Sequence, residues 1–129
     1  MIPEIGHIFL IITFVASIMQ ILFWIYNINS FHGFTVNILK KSALINFSLI
    51  LSSFFILTYS FIISDFSLLL VSNNSHSLKP LIYKISGVWG NHEGSLLLWV
   101  LILSTFTFLV SKKKSNINPK LLSSIIGVQ

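Results

Sequence analysis

From Ile5 to Tyr26 the chain carries no charged side chain, and only His7 and Gln20 in that run are strongly polar. A helix rises 1.5 Å per residue, so a hydrocarbon layer of roughly 30 Å takes about 20 helical residues. A secretory leader opens on basic residues and ends at a small-residue cleavage site. Here the start is Met1-Ile2-Pro3-Glu4, the apolar run is too long, and no such site follows. The segment therefore reads as a retained transmembrane helix. Trp24 and Tyr26 at its far end suit the interface, where amphipathic aromatic rings are favoured.

Composition carries that reading to the whole chain. Charged residues make up 9% of the 129 positions, against roughly 25% in an ordinary soluble domain. Too few charges are present to coat a globule with water. The net charge of +5 is not a nucleic-acid signature, because the lysines sit in short clusters beside apolar runs. Cysteine is absent, which excludes a disulfide scaffold, a CxxC redox site and thiolate metal sites. Every basic residue is Lys and none is Arg, a bias that suits an AT-rich genome.

A second uncharged span covers residues 44–63. Asn46, Ser53 and Ser60 recur along it every seven residues, a polar stripe suited to close helix packing rather than to a substrate path. Residues 96–110 are short for a third span, and extension back to Val88 supplies the length. A further apolar stretch from Leu121 to Val128 reads as the start of a fourth span. The expected fold is all-α: a polytopic transmembrane helix bundle with spans at about 5–26, 44–63 and 88–110 and a fourth starting at 121, a fragment of a larger bundle. The loop at 27–43 holds Lys40 and Lys41, and Lys112, Lys113, Lys114 and Lys120 follow the third span. The positive-inside tendency puts these on the inner side, with the N-terminus and the 64–92 loop outside, at the periplasm or intermembrane space.

Within the outer loop, Phe66–Val71 reads as a short strand or as a segment on the membrane surface. Ser77–Pro80 then starts a short interfacial helix with Leu81, Ile82, Ile85, Val88 and Trp89 on one face and Lys84 toward water. Trp89-Gly90-Asn91-His92-Glu93-Gly94-Ser95 is the densest polar cluster in the chain. On one continuous helix, Trp89, His92, Leu96 and Trp99 would share a face. A zincin needs a second His where Leu96 stands, so that chemistry is rejected. Ser95, His92 and Glu93 contain the types of a nucleophilic triad, but neighbours on one helix do not converge on a reacting atom. His92 as an axial haem ligand is weighed against an interhelical hydrogen bond, and the structural role is favoured. His7 and His76 fall on the outer side with equally modest claims, and His32 on the inner side. No metal site is assigned.

The opening MIPEIGH, the stretch SDFSLLLVSNNSHSLKPLIYKISGVWGNHEGSLLLWVLIL and the helix start after Asn118-Pro119 strongly resemble the N-terminal portion of the CcmF/NrfE haem lyase family, cytochrome c-type biogenesis proteins related to CcmC and CcsA. The resemblance implies cytochrome c maturation: covalent attachment of haem to apocytochrome c on the outer face of the membrane. It implies haem as the cofactor of the complete protein. The implied partners are the remainder of CcmF, a CcmH-type thiol-handling protein, the haem chaperone CcmE, apocytochrome c and membrane lipid, with no nucleic acid. The family's Trp-rich haem-binding segment and its haem-ligand histidines are not in this chain. No cofactor ligand is therefore assigned, and the resemblance does not by itself make this segment an enzyme. Trp89, Gly90, Asn91, His92, Glu93, Gly94, Ser95 and Trp99 are expected near the haem platform. The alternative from another class is a small structural subunit of a respiratory or transport complex.

Overall fold

The structure, a computed structural model, describes residues 2–27, 33–112 and 118–127. Its elements, in order, are α1 (Ile2–Tyr26), α2 (Gly33–Ile62), α3 (Leu69–Asn74), α4 (Leu81–Trp89), α5 (His92–Lys112) and α6 (Pro119–Gly127). α1, α2 and α5 are long and apolar enough to cross a membrane. The chain is an integral membrane protein, all-helical among the described residues.

α2 is the central helix. α1 and α5 run parallel to each other, antiparallel to α2, and each packs on it while scarcely touching the other. The α1 contact is a polar stripe. Among the α1 positions whose burial is described, Gly6, Thr13 and Gln20 are buried, on the side of Asn46, Ser53 and Ser60 of α2, so small and polar residues let the backbones approach. Ser53 Oγ donates to the Gly6 carbonyl at 3.0 Å, and Asn46 Nδ2 to Gln20 Oε1 at 3.2 Å. The sequence reading of Asn46, Ser53 and Ser60 as a packing stripe agrees with their burial. α5 meets α2 through Phe47 and Phe108, stacked with ring centroids 4.8 Å apart, and Lys112 Nζ lies 4.9 Å over the Phe108 ring.

Apolar cores close the two ends of this polar middle. At one end Val36, Leu39 and Ala43 of α2 bury against Leu122 and Ile126 of α6, with Phe23, Trp24 and Val110 around them. Gln20 Nε2 donates to the Ile126 carbonyl and ties α1 to α6. At the other end Phe61, Val71 and Val88 join α2, α3 and α4. Ser64, at φ 54°, turns the chain out of α2 in the left-handed region.

Several expectations are corrected. Residues 33–43 were expected in a loop but form the first turns of α2, because Val36, Leu39 and Ala43 recur at helical spacing and α6 covers them. Lys40 and Lys41 mask that stripe in a hydropathy reading. Leu69–Asn74 is helical rather than a strand. The third long helix starts at His92, not Val88, since the chain turns at Gly90-Asn91. In α4, Lys84 is half-buried, whereas Leu81 and Ile82 are exposed, so only part of the expected apolar face meets the core. His32, Lys113, Lys114 and Val128 lie outside the described residues.

Candidate functional site

The Trp89–Ser95 cluster is a corner between two helices. α4 ends at Trp89, and the Gly90 N–H still reaches the Ser86 carbonyl at 3.0 Å. A helix end leaves its last carbonyls without partners, and the next helix leaves its first N–H groups without partners. One buried side chain serves both. Asn91 Nδ2 donates to the carbonyls of Gly87 at 2.7 Å and Val88 at 3.1 Å, and Asn91 Oδ1 accepts the Gly94 N–H at 2.6 Å. The second contact is an N-cap, with a short polar side chain standing in for the missing turn. A Cβ on Gly94 would overlap the Val88 carbonyl oxygen, so only glycine lets α5 start this close to the end of α4.

The corner separates the residues expected on one face. Trp89 closes α4, His92 opens α5, and Trp99 lies farther along α5, 65% exposed. His92 and Glu93 are exposed at the start of α5, where the N-terminal end of the helix favours the Glu93 carboxylate. Ser95 Oγ donates to the His92 backbone carbonyl at 2.8 Å, not to an imidazole, which leaves no nucleophilic triad here. Among the described residues no cluster of three or more His, Cys, Asp or Glu side chains could hold a metal ion.

Glu93 instead shares a groove with His7 of α1. The groove, about 230 Å³, is walled by Leu10, Leu57, Leu70 and Leu97, with Gly6 and Ser60 among its other residues. The sequence places His7 and the Glu93 loop at the same end of the bundle but carries no signal that they line one groove. They come together because α1 and α5 both lean on α2. The arrangement offers two polar side chains at the rim of an apolar slot. Its volume falls below the roughly 300–1,000 Å³ of small-molecule sites, and it holds one imidazole. These residues alone do not fit a haem.

On the surface beside this groove, the chain leaves α2 through a turn built on Asp65. Asp65 Oδ1 accepts the Ser67 hydroxyl at 2.6 Å and the Ser67 N–H at 3.1 Å. The hydroxyl first, and then the amide, hold the Asp65 carboxyl below its ordinary value.

Three long helices around a polar seam, capped at one end by short helices and a glycine-asparagine corner, define a segment of a polytopic membrane-helix bundle. No family model matches the sequence. Over all 129 residues it is 42% identical to cytochrome c-type biogenesis protein CycK of Rhizobium meliloti, covering 19% of that protein. Over 128 residues, 99% of the chain, it is 36% identical to cytochrome c-type biogenesis protein CcmF of Pseudomonas aeruginosa and covers 20% of it. The solved structure titled Cytochrome c Heme Lyase CcmF has the same fold, with TM-score 0.89 and 23% identity over 99% of this chain and 21% of that one. Along its whole length the chain is similar to a part of the CcmF-type cytochrome c-type biogenesis proteins. It spans about a fifth of the length of the curated relatives it matches.

Proposed function

We propose that this chain is one part of a membrane haem lyase that attaches haem covalently to apocytochrome c, and that it is the N-terminal part of the family's membrane domain. The supporting observation is similarity along the whole chain to proteins named for cytochrome c biogenesis, on a helical frame shared with a CcmF structure. In this reading the complete protein handles haem. This segment supplies the scaffold, and its α4–α5 corner and His7–Glu93 groove lie on the side where haem is joined to the cytochrome. The partners are the remainder of the protein, a CcmH-type thiol-handling protein, a CcmE-type haem chaperone and apocytochrome c. The outer end, with the N-terminus and α3–α4, faces the periplasm or intermembrane space. Lys40, Lys41 and Lys112 lie toward the opposite end.

The corner residues Trp89–Ser95 and Trp99 act by position in this reading: Asn91 and Gly94 set the angle of α5, and His92 and Glu93 present polar groups outside it. The test uses the complete complex. His92→Ala and Glu93→Ala are expected to lower holocytochrome c yield while the protein still accumulates in the membrane. Wild-type yield from both variants would remove the corner from the function.

A further inference from the structure

At the end of the bundle away from the α4–α5 corner, the seam between α1 and α2 opens into a groove of about 570 Å³. Met19, Leu22 and Phe23 of α1 and Ile38 and Leu39 of α2 give it apolar walls, and Met19 is 63% exposed. The polar side chains in those walls are engaged inside the protein. Ser42 Oγ donates to Gln20 Oε1 at 2.8 Å, and Gln20 Nε2 donates to the Ile126 carbonyl. On α1 the lining runs from Ala16 to Tyr26, about 15 Å of helix at 1.5 Å per residue. That length matches one leaflet of a hydrocarbon layer of roughly 30 Å, not its full thickness. A membrane-crossing helix needs both leaflets, whereas an acyl chain needs one.

The mouth of the groove is cationic. Ile38, at its edge, also lines an adjoining recess with Asn37, Lys40 and Lys41. Lys41 is exposed and Lys40 half-buried. The three acidic side chains of the chain stand at the opposite end: Glu4 at the start of α1, Asp65 after α2 and Glu93 at the start of α5. No carboxylate side chain of this chain therefore neutralises the two lysines. Lysine stems lie along apolar surface while the ammonium reaches the head-group level. Tyr26, 88% exposed, stands at the same end of the groove with an amphipathic ring suited to that level.

We infer that the α1–α2 groove binds an anionic phospholipid, with an acyl chain along Met19, Leu22 and Ile38 and the phosphate at Lys40 and Lys41. A zwitterionic lipid fills the same apolar walls but carries its own cation beside the phosphate, so it offers the lysines no net charge. Apolar walls one leaflet long, with unneutralised cations at their interfacial end, match the anionic amphiphile.

The test places a benzoylphenylalanine photocrosslinker at Leu22 in the complete protein, reconstituted in phosphatidylcholine vesicles with a minor fraction of phosphatidylglycerol of the same acyl chains. Mass spectrometry of the adducts is expected to show phosphatidylglycerol enriched at least about 5-fold over its share of the vesicle, the effect of one lysine near an anionic surface. Lys40→Gln combined with Lys41→Gln is expected to return the adducts to the vesicle's own ratio. Lys112→Gln removes a charge from α5 at the same end of the bundle and is expected to leave the enrichment in place. If the double variant does not accumulate, the wild-type protein in about 1 M salt decides, because a screening length of about 3 Å should abolish the enrichment. Adducts in the vesicle's ratio, or adducts to peptide in place of lipid, would overturn the inference. So would enrichment that survives the double substitution or high salt, or that Lys112→Gln removes equally.

Discussion

At Asn91 a single amide closes α4 and opens α5, and Gly94 owes its place to it. Gly90 ends α4, and Gly94 allows the close approach that brings its N–H to Asn91 Oδ1. Loss of a side-chain N-cap costs about 0.5–2 kcal/mol. Asn91→Ala also strips the donor from two helix-end carbonyls, so its cost is expected at the upper end of that range. Gly94→Ala is expected to cost a further margin of about 1–3 kcal/mol, as in overpacked interiors, because it meets a backbone carbonyl that cannot rotate away. Thermal unfolding of the purified complete protein in detergent would rank the two, and an unshifted midpoint for Gly94→Ala would contradict the corner geometry. Asp65 gives a pH signature at the same scale. Its carboxyl is held below the ordinary value, so its stabilising contribution is present above the unfolded-state value. That contribution is lost as pH falls through the lowered one. Asp65→Asn is expected to flatten the acid limb of a stability-against-pH profile near the α2–α3 turn, and an unchanged limb would show that the turn does not depend on the charge.

At the scale of elements, legibility followed hydropathy. α1 was readable because nothing charged interrupts it, and the 46–53–60 stripe was readable because a heptad interval returns to one side of a helix. The first turns of α2 were not, because Lys40 and Lys41 break the apolar run while Val36, Leu39 and Ala43 keep the face that α6 covers. The break between α4 and α5 was half-legible: two glycines allow a turn, but the close approach of Gly94 to the Val88 carbonyl appears only once the helices are packed. α6 is the element whose role depends most on packing. Ile126 is fully buried, and its carbonyl receives Gln20. Ile126→Ala is expected to destabilise the end of the bundle by about 2–5 kcal/mol, as for other buried large-to-small changes. Protease cleavage at the α6 end of membrane-embedded protein would report it, with cleavage at the α3–α4 end unchanged. Equal cleavage at both ends in variant and wild type would show that α6 is not held there.

At the scale of the whole molecule the open question is which end faces which compartment. The chain has no cysteine, so single introduced thiols are clean reporters. Ser75 is buried, whereas Ser77 in the α3–α4 segment and Lys41 near the other end are exposed. Ser77→Cys is expected to react with an impermeant thiol reagent applied from the periplasmic or intermembrane-space side, and Lys41→Cys only after the membrane is opened. The reverse pattern would invert the proposed orientation. Homology along the whole chain to a part of CcmF-type proteins gives the bundle its context.

The sequence by itself determined the solvent. With 9% charged residues and long uncharged runs, the chain can satisfy its backbone only as helices in lipid, and the stretch around Trp89–Ser95 carried the family resemblance. Only the tertiary structure decided which polar groups meet. Asn91 turned out to be a structural pivot, Glu93 to line a groove that His7 also lines, and Asn46 to lack a donor. The reason is physical: hydropathy is a property of each segment, whereas hydrogen-bond satisfaction belongs to pairs, and pairs exist only once the helices are packed.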